Sequence, residues 1–458
     1  MRAWTGDRLA AVLWAVIAAA PLAAGVAARG LLSAAPRRLT VDLAQPLVVV
    51  TAWGGYGACF FLLLAAAVAA GALALGVLCL RAARQGGDLP GGRSGTATIL
   101  LCAALALAGA LSWPCVFSSD VYAYAAYGDQ VLRGQNPYVA PPPGTHDAFL
   151  DAARWQWTRT SFPPCVYGPL FVGLGAATVL LGGMQVAPAL WLLRLAACGA
   201  FLSAILLFDA ALAGRPRRQI AVALLALNPV ALWSAAEGHN DTLVLAAVLG
   251  AVVAARRGKP VLAAALVGLS PLIKAVGLLA GPPMWALQPS ARRARFGAAL
   301  VAAGAATALV LLPLQLGGLR TLGRHGHYAP EYSLQGLVGV VPGLLLGGAL
   351  VLAALPDLRR GRFGGVVRLA LGVWLALPNA YPWYALWVLP VAAAGLGTWE
   401  AAALLGVTIS VVLRYLPEAF GPLGGVPGAL LALGELLPAA VALAALFRPP
   451  AAQEATSA

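Results

Sequence analysis

Runs of about 20 apolar residues recur along almost the whole chain, and each is long enough to cross ~30 Å of hydrocarbon as a helix. No other feature narrows the fold so far. In lipid every backbone polar group must be satisfied internally, which leaves helices or closed barrels. The alternating pattern of a barrel strand is missing, so the runs predict an all-α, polytopic membrane protein. Composition agrees: 61% of the 458 residues are hydrophobic and 10% charged, too little polar surface for a soluble domain. Residues 9–28 have the apolar character of a signal peptide but no clear cleavage site, and are read as a retained first helix.

The formal charge of +14 raises nucleic acid as a partner. The cations instead sit in short loops between apolar runs, as the positive-inside rule expects, and no nucleic-acid motif accompanies them. Five clusters stand out: Arg81, Arg84 and Arg93; Arg215, Arg217 and Arg218; Arg256, Arg257 and Lys259; Arg292, Arg293 and Arg295; Arg359, Arg360 and Arg362. Keeping all five on the cytoplasmic side of a plasma membrane predicts about 14 crossings with both termini inside. The segment 114–188 becomes a large external loop, in which 167–188 is read as an interfacial or re-entrant helix; a true span there would invert everything after it. The resulting divisions are an N-terminal helical pair with its linker (1–95), a membrane core (96–400), a C-terminal helical pair (401–447) and a tail (448–458) expected to be disordered.

With the topology set by arginines, the remaining polar residues sort to one side. All four histidines (His146, His239, His325, His327) fall on the external face or at its membrane boundary, as do Asp120, Asp129, Asp147, Asp151, Glu237, Asp241 and Glu331. Asp120 follows directly on an outgoing helix, at the head of "DVYAYAAYGDQVLRGQNPY". A partly desolvated carboxylate there could act as a general base, or simply cap the next helix. Tyr122, Tyr124 and Tyr127 are either interfacial aromatics or a platform for a sugar ring. The "EGHND" stretch, with His239, Asn240 and Asp241, is a capping turn or part of a site. His239 and Asp241 could bind a divalent metal together with Asp120, but no ligand spacing of the HExxH kind supports one, and none is assigned.

Two cations lie at membrane depth, where charges are costly and point to function: Arg194, about one turn inside the helix of "ALWLLRLAACG", and Lys274, between two short apolar helices in "SPLIKAVGLLAG". A buried carboxylate would satisfy either, but none is near in sequence; an anionic group at membrane depth, such as a lipid phosphate, would also do so. Arg320, Arg324, His325 and His327 form either further phosphate contacts or a solvated basic loop. Cys115 and Cys165 share the external segment, where a disulfide between them is one option.

Taken in order, the Asp120 segment, "YGPL", "RLAA", "NPVALWSAAEGHND", "GLSPLIKAVGLLAGPP" and "YPWYALW" resemble the GT-C superfamily of integral-membrane glycosyltransferases. Within it the chain is most similar to actinobacterial polyprenol-phosphate-mannose-dependent α-mannosyltransferases of cell-wall lipoglycan synthesis. The resemblance covers roughly residues 96–400. It implies a sugar donor on a polyprenyl phosphate, a glycan or glycolipid acceptor, external chemistry without a nucleotide-binding motif, and Asp120 as catalytic base. Arg194, Lys274 and His239 would then stabilise the donor phosphate. Tyr122, Tyr124, Tyr127, Asn240, Asp241, His325 and His327 would contact sugar or acceptor. Two features depart from other branches of the superfamily: Asp120 follows Ser118-Ser119 rather than a second carboxylate, and the large soluble C-terminal domain of some branches is not expected. A transporter or lipid flippase with an intramembrane cationic site is the rival reading, suggested by the break at Ser270-Pro271.

Overall fold

The computed structural model describes residues 10–23, 55–84, 88–89, 92–112, 118, 120–142, 144–153, 162–325, 333–396, 398–420, 436–444 and 446. Every regular element among them is helical. In chain order the helices are α1 (Ala10–Ala23), α2 (Gly55–Arg84), α3 (Gly92–Leu111), α4 (Asp120–Leu132), α5 (Ala148–Ala153), α6 (Pro169–Leu181), α7 (Val186–Ala211), α8 (Arg218–Ala226) and α9 (Pro229–Ala236). They continue with α10 (Asp241–Arg256), α11 (Pro260–Gly268), α12 (Gly281–Leu287), α13 (Ser290–His325), α14 (Leu334–Val338), α15 (Val340–Arg359), α16 (Phe363–Leu375), α17 (Ala385–Ala394) and α18 (Trp399–Phe420). The C-terminal tail, Cys115 and His327 lie outside the described residues.

Among the described residues, α7, α15 and the Ser290–Leu312 part of α13 are each long and apolar enough to cross a membrane; α8 and α9, bent by 46°, make a fourth candidate together. The other apolar helices are shorter, because the chain breaks where apolar periodicity continues. Asn228 divides α8 from α9: its side chain accepts from the Val230 amide, capping α9 ahead of Pro229, and its amide donates to Thr408 at 2.9 Å. Proline at the first helical position cannot extend the preceding helix but is preorganised to start the next. The predicted break at Ser270-Pro271 is present as well. After α11 the chain makes a single 3-10 turn (Ser270–Leu272), becomes extended at Lys274, and passes through a second 3-10 stretch (Ala275–Ala280) into α12.

The five basic clusters meet at one end of the molecule. Asp88, just beyond α2, accepts from the backbone amides of Gln219 and Ile220 at the start of α8. Arg218 pairs with Asp209 through two hydrogen bonds. Arg256 donates to the Ala211 and Ala213 carbonyls at the end of α7, supplying partners to carbonyls that a helix terminus leaves open. Gly258 rests against the Arg292 guanidinium, and Arg215 lies 5.5 Å from the centroid of Phe363. Asp241 and Arg256 are opposite ends of α10, about 22 Å apart at 1.5 Å per residue. The "GHND" turn thus stands at the end remote from the arginines.

The segment read as interfacial is α6, a helix of 13 residues, which at 1.5 Å per residue is about 20 Å and short of a bilayer core. It packs on α4 through bare backbone: a Cβ on Gly128 would fall 2.3 Å from the carbonyl carbon of Gly175. Cys165 is buried here as a free thiol, not in a disulfide. Its sulfur instead accepts from the Tyr167 amide at 3.4 Å.

Candidate active site

At the end opposite the arginines the quoted motifs converge. Asp120 opens α4, so its carboxylate lies at a helix N-terminus, where the dipole favours negative charge. Its backbone amide donates to Ser118 Oγ at 3.0 Å. Four residues on, one helical turn away, the Tyr124 hydroxyl donates to Asp120 Oδ2 at 3.4 Å; the Tyr167 hydroxyl donates to the same oxygen, also at 3.4 Å. Burial pushes the Asp120 carboxyl above the ordinary carboxylate range. Lys274 and the Ser118 and Tyr124 hydroxyls pull it back, whereas Asp241 pushes it further up. Both tyrosines are held well above their usual range, foremost by burial, and stay protonated as donors.

Tyr167 joins this carboxylate to the cation. Its ring centroid is 5.9 Å from Lys274 Nζ, which also lies 5.1 Å from Tyr384 and 5.6 Å from Trp387. Three aromatic rings around an ammonium form a cation–π cage. Within it Lys274 Nζ donates to both oxygens of Asp241 at 2.9 Å each, and Trp387 Nε1 donates to Asp241 Oδ1 at 2.7 Å. The carboxylate partner that no nearby residue could provide comes from 33 positions upstream. Its placement depends on the break after α11, which turns the extended Lys274 toward the start of α10. "YGPL" fixes that break: the Gly168 amide donates to the Ile273 carbonyl at 2.9 Å, and a Cβ on Gly168 would overlap Leu272 and Pro271 backbone atoms.

Arg194 is buried, but it is bound to protein: Nε donates to the Ala236 carbonyl and Nη2 to the Leu111 carbonyl, and the guanidinium lies 4.8 Å from the Trp191 centroid. It ties the ends of α3 and α9 together beneath the site. His239 stacks on Trp383 at 4.2 Å, and Trp383 on Tyr381 at 4.9 Å. Burial, reinforced by Lys274, pulls its imidazole well below the usual histidine range, so at neutral pH it is an uncharged hydrogen-bonding group. Among the described residues neither His239 ring nitrogen nor the Asn240 amide has a hydrogen-bond partner, and both residues are buried.

Of the tyrosines on α4, Tyr124 is the one described above as a donor to Asp120. Tyr127 donates to the Pro163 carbonyl at 3.1 Å and packs on Phe162; Tyr122 is buried two positions from Asp120, on a different helical face. Asp241 is fully buried behind Lys274. His325 ends α13, but its side chain, like all of His327, is outside the described residues. Tyr167, Trp383, Tyr384 and Trp387 had no individual role in the sequence reading, although "YGPL" and "YPWYALW" contained them. Among the described residues no group of three or more His, Cys, Asp and Glu side chains is arranged to hold a metal.

A raised carboxylate and a caged ammonium, joined through Tyr167 in an all-helical apolar scaffold, have the chemistry to take up a proton and to steady an anion. The comparisons give the class its family. A family model described as "Alpha-(1->6)-mannopyranosyltransferase, N-terminal domain" matches residues 9–288, and the chain belongs to that family of glycosyltransferases. It is 27% identical over 346 residues to Alpha-(1->6)-mannopyranosyltransferase A of Mycobacterium tuberculosis, a match covering 66% of this chain and 66% of that protein. No solved structure matches.

Proposed function

We propose that the protein is a polytopic membrane enzyme, with about 14 crossings, that transfers mannose from a polyprenyl-phosphate donor to a glycan or glycolipid acceptor. The site end faces outward and the arginine end faces the cytoplasm, as the gathering of all five basic clusters supports. Asp120 takes the proton of the acceptor hydroxyl as it attacks the anomeric carbon, inverting that carbon in a single displacement. Lys274 stabilises the charge that develops on the departing phosphate, in a setting of low dielectric where such stabilisation is strongest. The observation that carries this reading is the bridge through Tyr167, which touches the base with its hydroxyl and the cation with its ring.

Charge supports the choice of donor. Arg194 is engaged by backbone carbonyls and His239 is neutral, which among the described residues leaves Lys274 as the cation placed beside Asp120. One ammonium matches the single charge of a phosphodiester better than the larger charge of a nucleotide diphosphate. The family assignment and the polar groups at one end favour transfer over the transporter reading. In nanodiscs, radiolabelled polyprenyl-phosphate-mannose is expected to label a mannose-containing acceptor, and GDP-mannose is not. Labelling from GDP-mannose alone would refute the donor assignment.

A further inference from the structure

Lys274 is spoken for in this structure by two carboxylate oxygens at equal distance, which is a puzzle for a residue meant to meet a phosphate. The surroundings show how the pair can open. Asp241 has two other sources of stabilisation: the Trp387 Nε1 hydrogen bond and its place in the first turn of the 16-residue α10, where the helix dipole favours an anion. Lys274 has the rings of Tyr167, Tyr384 and Trp387, which retain a cation after its counter-ion is lost. The two partners also differ in access. The Lys274 side chain is 15% exposed and that of Asp241 0%, so an incoming anion meets the ammonium and not the carboxylate.

We propose that Asp241 is a positioning residue, an internal counter-ion that occupies Lys274 in the empty enzyme and is displaced by the donor phosphate. This rests on the donor reading above. The carboxylate fixes the ammonium within its aromatic cage before the donor arrives, and it competes with the phosphate for that ammonium. The same competition helps expel the polyprenyl phosphate after transfer. Asp241 thus acts through Lys274 and touches no sugar, in place of the contact role that its position in "GHND" suggests.

The test uses the full-length protein in nanodiscs and farnesyl phosphate as probe, with farnesol as the uncharged control. Asp241→Asn keeps the shape and an acceptor for Trp387 but removes the competing charge. It should bind farnesyl phosphate about fivefold or more tightly than wild type, a typical size for coupling between two sites. Donor KM and kcat should fall together as product release slows. Lys274→Met leaves a buried charge unpaired and is liable to misfold, so Asp241→Asn/Lys274→Met, which removes both charges, completes the comparison. It should lose the preference for farnesyl phosphate over farnesol. A folded Asp241→Asn protein that binds farnesyl phosphate no more tightly than wild type overturns the counter-ion role and leaves the donor reading intact. A wild-type protein that binds farnesyl phosphate no better than farnesol overturns both.

Discussion

Replacing Asp120 by Asn should lower mannosyl transfer by about 10²–10⁴-fold, the usual contribution of a general base. The amide keeps the size of the carboxylate and an oxygen for the Tyr124 and Tyr167 hydroxyls, so folding and farnesyl phosphate binding should persist. What it cannot do is accept the proton of an acceptor hydroxyl. The same carboxylate should set the acid side of the pH profile in the wild type. Its pKa is raised, chiefly by burial, and the base is active only when ionised. Activity should therefore be lost, as pH falls, at a higher pH than an ordinary carboxylate near 3.9 would give. Steady-state kcat/KM across pH, with size-exclusion profiles of both proteins, measures both effects. Transfer at wild-type rate by a folded Asp120→Asn protein would remove Asp120 from the mechanism.

Gly168→Ala should be nearly as damaging, though Gly168 takes no part in the chemistry. A Cβ there would lie 2.1 Å from the Leu272 carbonyl carbon and 2.3 Å from the Pro271 carbonyl oxygen. Both are backbone atoms, so the segment must move. Lys274 follows two residues later, and its ammonium would leave the cage. A displacement of about 1 Å near reacting groups can cost on the order of 10²-fold in rate, and that loss in kcat/KM is expected here. Gly173→Ala is the matching control: on α6, it has nothing within 4 Å of its added Cβ and should behave as wild type. Equal activity in the two variants would show that the contact between "YGPL" and the Lys274 segment does not position the cation.

Asp120 and Lys274 were legible in the sequence for a physical reason: in so apolar a chain an isolated charge stands out. Their partners were harder to see. Asp241 meets Lys274 only because the helix breaks after Gly268 and resumes in 3-10 turns, and apolar periodicity does not reveal where an extended residue will point. Arg194 looked like a ligand for an anion because its partners are backbone carbonyls at two helix ends, which no side-chain pattern announces. The aromatic residues of "YGPL" and "YPWYALW" resemble interfacial belt residues until their rings are seen around an ammonium. The tyrosines of α4 show the opposite case. Their shared segment left interfacial belt and sugar platform both open, and helical geometry puts Tyr124 one turn above Asp120 while Tyr122 lies on another face. The helical class and the main breaks were readable; helix lengths were less so, because Asn228-Pro229 divides what looked like one continuous apolar run.

One displacement, with Asp120 as base, is proposed to move mannose from a polyprenyl phosphate. The configuration of the product tests it most directly. With β-linked polyprenyl-phosphate-mannose and a mannoside acceptor, nuclear magnetic resonance of the isolated product should show a new α-mannoside. A β-mannoside would mean retention, require a covalent or two-step route, and contradict the role given to Asp120.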